Sequence, residues 1–311
     1  MTLHATTEDA HRPTPDDAIL DYYRLPSPMT ALEGFEPFVR TLPDDPAGIV
    51  GAVQKLLIYE HVAEDFYGVK LPPARREESH IRAAADMLRQ LTGRAGALTR
   101  NGYAPPDRLC GICRHFALAA TALMRAKGIP ARLRGGFGTY FNPGYFEDHW
   151  VTEYWIGSER RWALADPQFD AVWVERFRLD HDMMDVPRDR FLTASAAWRT
   201  IRSGMADPDR FGIVFSDLRG LWFAAASLVR DLAALNKHEM LAWDVWGAQP
   251  KAERALTEDE LAFFDGIAAL TAAPDGNFHA MRERYDRDSR LTVPRQVYNA
   301  LRQRHEDADE R

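Results

Sequence analysis

The chain has 311 residues, 46% hydrophobic and 27% charged, with 39 Lys and Arg against 46 Asp and Glu and a formal net charge of −7. An acidic balance argues against a nucleic-acid partner, since phosphate binding needs concentrated positive charge, and two cysteines are too few for a disulfide framework. The opening MTLHATTEDAHRPTPDD lacks the basic and apolar regions of a secretory leader, and the longest apolar stretch, GLWFAAASLVRDLAAL, is broken by Arg230 and Asp231. These features lead to the expectation of a cytoplasmic protein with no membrane partner.

Residues 1–18, rich in Thr, Pro and Asp, read as a mobile arm. From about 30 to 100 the pattern is helical. Val50, Val53, Leu57 and Val62 lie near helical spacing behind an Asp-Pro start, and Ile81, Ala84, Ala85, Leu88 and Leu91 continue the pattern to a cap at Gly93. NGYAPPDR then breaks helicity with Gly and two prolines. A helix over 113–127 stops at Gly128-Ile129-Pro130, with Gly past its end and Pro just beyond. ARLRGGFGTYF reads as a strand with a glycine-rich break, while HWVTEYWIG and RWALADP bracket the turn GSER as a hairpin. Beyond 190 the chain turns helical again: 217–247 reads as one or two helices, Thr257 and Glu260 form a capping box, and the charged C-terminal stretch reads as a solvated, fraying helix.

The chemistry concentrates at CGICRHF. A cysteine at a helix start meets free backbone N–H groups and the positive end of the helix dipole, both of which favour the thiolate. Cys113 has that position, whereas Cys110 falls one turn earlier, in a loop. A thiolate nucleophile needs an imidazole partner, and the imidazole needs an orienting acceptor. The hairpin supplies both: a turn centred in Gly157-Ser158 sets His149 and Asp166 opposite or nearly opposite each other, about 5 Å apart across the strands, and a longer loop that shifts the register by a residue or two still leaves diagonal reach.

GICRHFALAATALMRAKGIPARLRGGF, followed by HWVTEYW and WALADPQF, resembles the transglutaminase-like core of the papain-related cysteine enzymes over roughly 101–170. The resemblance implies an α+β fold in which a central helix packs on an antiparallel sheet. A helical N-terminal portion (1–100) precedes the catalytic core (101–190), and a helical C-terminal extension (191–311) follows it. It also implies a nucleophile at Cys113, an acid/base at His149 and an orienting carboxylate at Asp166. The reaction would be acyl transfer or hydrolysis at an amide or thioester, with an amine as a possible acceptor and no cofactor. The oxyanion would meet the Cys113 backbone N–H and one further donor.

Two other classes stay open. Cys110 and Cys113 form a CxxC, the spacing of a thiol-disulfide oxidoreductase, and the same fold can serve as a catalytically inactive binding module. A zinc site would need two more ligands at defined spacing. His115 reads as a surface or packing residue, Glu153 as structural or a salt-bridge partner, and Arg108 as a brace for the loop before the helix. The tryptophan-rich stretch 211–247 is expected to shape the substrate pocket, with Trp222, Trp243 and Trp246 as candidate walls.

Overall fold

The structure is a computed structural model that describes residues 15–309. The arm expected over 1–18 thus lies, for residues 1–14, outside the described residues, and its last two residues open a helix instead. In chain order the elements are α1 (Asp17–Arg24), α2 (Glu36–Thr41), α3 (Pro46–Val53), β1 (Leu57–Tyr59), α4 (Ala63–Tyr67), α5 (Ala84–Ala95), β2 (Leu109–Gly111) and α6 (Cys113–Ala126). There follow β3 (Ala131–Gly138), β4 (Phe146–Ile156), β5 (Arg161–Ala165), α7 (Ala171–Phe177), β6 (Phe191–Thr193), α8 (Ala194–Arg202), β7 (Phe211–Gly212) and α9 (Leu221–Leu235). The last are β8 (Asp244–Val245), α10 (Glu258–Ala272), α11 (Phe278–Arg287), β9 (Gln296–Asn299) and β10 (Arg304–Asp307). This is an α+β fold.

Among the described residues the chain divides into two compact units, one holding 20–133, 151–185 and 309, the other 15–19, 134–150 and 186–308. β3 and β4 each contribute a part to both. In the first unit the strand order is β5-β4-β3, and α6 is the central helix. Alanines let neighbours approach α6 on every side, and its Phe116, Leu118, Leu123 and Met124 are all buried. Each such side chain contributes roughly 1.5–3 kcal/mol on burial. Thr152 of β4 donates its hydroxyl to the Ala117 carbonyl at 2.9 Å, which joins the helix to the sheet. α6 ends where expected, with Gly128 in the left-handed region at φ +78°, and the Pro130 carbonyl accepts from Trp155 N–H at 2.9 Å. The buried Arg125 closes this corner by donating to the Ala131 carbonyl at 2.8 Å and to Thr30 Oγ1 at 2.9 Å.

The expected long helix after Pro46 is interrupted. Leu57–Tyr59 is instead a strand, paired in parallel with Leu109–Gly111. A short apolar run does not distinguish buried strand from buried helix by period alone, and the partner that decides it lies far along the chain. Cys110 is therefore on a strand, not in a loop. Further on, 73–80 is a 3-10 stretch, and α5 runs past Gly93 to a cap at Gly96, φ +84°.

In the second unit the strand order is β4-β3-β6, and β7 pairs in parallel with the start of β4. α8, α9 and α10 pack on one another. The capping box forms as expected: Thr257 N–H donates to Glu260 Oε2 at 2.9 Å, and Glu260 N–H to Thr257 Oγ1 at 3.3 Å. Only one helix occupies 217–247; it stops at Leu235, which leaves Trp243 and Trp246 off the helix. The C-terminal stretch is not a fraying helix. Asn299 Oδ1 accepts the N–H groups of Leu301 and Arg302 at 3.1 and 3.0 Å, turning β9 back into β10, and β9 also pairs with β8. The extension is thus helical with a small three-stranded sheet.

Candidate active site

Cys113 is the first residue of α6 and is 5% exposed. The strand pairing of β2 delivers the chain to this point, and Ile112 takes the extended N-cap position at φ −116°, ψ 178°. Isoleucine has no side-chain acceptor, so the usual cap is missing. His115 stands in for part of it. Its Nδ1 accepts Ile112 N–H at 3.3 Å, and its Nε2 lies 3.2 Å from the Ile81 carbonyl, which makes the ring a neutral Nε2–H tautomer. Burial first, then the charge of Arg114, holds this imidazole down to about 3. Of the two readings for His115, packing is the correct one.

Cys110 is fully buried on β2. Its N–H donates to Glu78 Oε2 at 2.7 Å and its thiol faces Glu60 Oε2 at 3.8 Å. Glu78 is held in turn by Arg75 Nε at 2.7 Å and by Arg94. Burial, followed by the charges of Glu60 and Glu78, pushes the Cys110 thiol up to about 12. Arg108 braces the lead-in loop as expected, its Nε donating to the Tyr103 carbonyl at 3.1 Å.

His149 lies on β4, 1% exposed, with the rings of Phe141, Tyr140 and Phe191 centred 4.8, 6.1 and 6.4 Å away in edge-on arrangements. Asp166 follows β5 directly and has no exposed surface. Its N–H donates to the Met183 carbonyl at 2.8 Å, and its Oδ1 accepts Gln168 N–H at 3.2 Å.

The hairpin has the expected loop, 157–160, but its register differs from the expected one. Ile156 pairs with Arg161 and Thr152 with Ala165, so the turn is centred one residue later, in Ser158-Glu159. Arg160 adopts φ +52° to close it. His149 is three residues beyond Thr152 along β4, while Asp166 is one beyond Ala165 along β5. They do not form one rung of the ladder but stand two residues apart in its register, the diagonal arrangement. Glu153 is a salt-bridge partner: its Oε2 accepts Arg132 Nε at 2.6 Å, both side chains buried, and Arg132 also lies over the Trp162 ring at 4.1 Å.

The three tryptophans fall in the second unit. Trp246 is buried and donates its indole N–H to the Leu291 carbonyl at 3.0 Å. Trp222, on the first turn of α9, is half-buried, and its indole N–H meets no acceptor among the described residues. Trp243 is half-buried in the loop before β8. Glu147 was not singled out by the sequence, although a carboxyl two residues before His149 on an alternating strand was visible there.

The family model of the transglutaminase-like superfamily matches residues 73–167. This stretch is a transglutaminase-like core. Part of the chain is also similar to a Protein-glutamine gamma-glutamyltransferase of Pseudomonas aeruginosa, 34% identical over 74 residues. That match spans 21% of this chain and only 11% of the relative's length. A crystal structure from Cytophaga hutchinsonii, of a protein described as a candidate cysteine protease, is 18% identical, with a TM-score of 0.34 over 57% of this chain and 46% of that one. So loose a likeness has no bearing on the site. Among the described residues, no helix is long and apolar enough to cross a membrane.

Proposed function

We propose that the chain is a cysteine-dependent acyl-transfer enzyme, with Cys113 as nucleophile, His149 as acid/base and Asp166 as the carboxylate that orients His149. The observation that carries this reading is the placement of Cys113 at the head of a buried helix inside the core, a stretch that also includes His149 and Asp166. Backbone N–H groups and the dipole at that helix end favour an anion there.

In the proposed reaction the Cys113 thiolate attacks the carbonyl carbon of an amide or thioester and gives a tetrahedral oxyanion. The Cys113 N–H and a second donor stabilise that oxyanion. As it collapses, the bond to the leaving group breaks, and the His149 imidazolium protonates a departing amine. A thioester on Cys113 remains. Neutral His149 then takes a proton from water or an incoming amine, whose attack releases the acid or the new amide and restores the thiolate. Protons and electrons balance without a cofactor. The name of the Pseudomonas relative makes a protein-bound glutamine carboxamide the first donor to try.

Of the candidate walls, Trp246 is committed to the core of its unit through Leu291. Trp222, whose indole N–H has no acceptor among the described residues, is the one we assign to substrate. Redox use of the cysteine pair is disfavoured because Cys110 is buried between two carboxylates that oppose its ionisation.

The test is mass spectrometry of the intact chain after brief exposure to a library of thioesters and glutamine-containing peptides. The reading expects an acyl adduct on Cys113 that disappears when hydroxylamine is added and does not form on Cys113→Ala. Transferable acyl groups on any other residue, or turnover that survives Cys113→Ala, would refute it.

A further inference from the structure

Glu147 stands two residues before His149 on β4, and strand alternation sends the two side chains from the same face. Glu147 is buried. Its carboxylate accepts Val214 N–H, at 3.1 Å to Oε2 and 3.4 Å to Oε1, and β7 pairs beside it with Gly212 opposite Glu147. The segment tied down in this way, 213–218, carries the exposed Phe215 and Leu218. The charges coupled to Glu147 are Asp148, which opposes its ionisation, and His149, which favours it. Asp148 is itself coupled to Arg230 of α9 and, more weakly, to His149, so two carboxylates act on that imidazole, and on the tied segment Asp217 lies 3.9 Å from Arg219. His149 is thus the positive group that supports the Glu147 carboxylate. Such coupling is reciprocal, so the carboxylate supports the imidazolium to the same extent.

We propose that Glu147 is a positioning residue for His149: its carboxylate stabilises the imidazolium beside it on β4 and, through Val214, fixes the 213–218 segment next to that strand. The inference rests on the reading of His149 as the acid/base. An amide in place of the carboxyl would still accept Val214 N–H, only less strongly, so the hydrogen bond, which favours the carboxylate ahead of His149, accounts for part of the charge and His149 for a further part. The charge is also unfavourable for folding. Burial raises Glu147 from 4.5 to about 7, so its contribution to stability is fully present below 4.5 and is lost as pH rises through about 7. Glutamine would therefore be the more stable choice above pH 7. A carboxylate kept there against stability points to use by its neighbour.

The experiment follows alkylation of Cys113 by iodoacetamide against pH in the full chain, for the unsubstituted protein, Glu147→Gln, Glu147→Asp and His149→Ala. Thermal unfolding is recorded at pH 5 and pH 8. In Glu147→Gln the alkaline end of the thiolate–imidazolium plateau should fall by about one pH unit, with no loss of melting temperature at pH 8. Glu147→Asp keeps the charge and loses reach to Val214; it should keep the plateau while melting lower. If Glu147→Gln does not fold, Glu147→Asp decides the question alone, since a shifted plateau in that variant would overturn the proposal. A Glu147→Gln profile superimposable on the unsubstituted one, with His149→Ala altered, overturns the positioning role alone. An unaltered His149→Ala profile overturns the reading of His149 itself.

Discussion

Arg134 of β3 and Asp231 of α9 form a two-point ion pair out of reach of solvent, Nε 3.0 Å from Oδ1 and Nη2 2.9 Å from Oδ2. The same carboxylate accepts the Gly135 backbone N–H at 2.9 Å, so one side chain serves both an arginine and a ladder position. Removing only the acid leaves a buried guanidinium and a buried N–H without it. Asp231→Ala is expected to destabilise the fold by about 3–5 kcal/mol in urea titration. The double change Arg134→Met with Asp231→Leu should cost clearly less than the single one, and equal losses would show that packing, not charge, dominates there.

The two thiols should separate cleanly by reactivity. With Cys110 pushed up to about 12, almost none of it is thiolate at neutral pH. Iodoacetamide at pH 7 is expected to label Cys113 first, and peptide mapping would show this directly. Cys110→Ala should leave the labelling of Cys113 within about twofold, because Glu78 contacts the Cys110 backbone rather than its sulfur.

Asp166→Asn retains an oxygen able to accept Gln168 N–H, so folding should persist. The proposed role predicts a loss of turnover of up to about 10⁴-fold, the consequence of a mis-set imidazole tautomer. Circular dichroism beside steady-state rates would separate the two effects. A near-normal rate in a folded Asn variant would remove Asp166 from the assignment.

Trp222→Ala and Trp246→Ala should behave differently. Trp246 fills buried space and donates to Leu291, so its loss is expected to cost about 3–5 kcal/mol of stability. Trp222 should change KM for the acyl donor several-fold with little change in iodoacetamide rate. Unchanged donor kinetics would make it a packing residue only.

The features legible in the sequence were those with local causes. α6 was readable from its alanine-rich stem and the Gly-Ile-Pro exit, and the 146–165 hairpin from alternation around GSER. β1 was not readable, because its partner Leu109–Gly111 lies some fifty residues on and nothing local separates Leu57–Tyr59 from a helical turn. Arg230 and Asp231 looked like interruptions of an apolar run, since the group that makes Asp231 a core residue, Arg134, is 97 positions away. The hairpin register was off by one residue at the turn centre because the GSER loop itself centres between Ser158 and Glu159, whereas the expectation set the centre midway between His149 and Asp166.

His115 has an effect on how the molecule meets acid. The ring that anchors the start of α6 is neutral when folded down to about 3, whereas in the unfolded chain it takes a proton near 6.5. Between those values every unfolding event captures a proton that the folded state refuses, and so stability drains away as pH falls while the geometry around Cys113 stays the same. What His115 adds on acid exposure is therefore a shrinking population of intact molecules, separate from whatever titration of Glu147 and of the thiolate–imidazolium pair does to each molecule that remains.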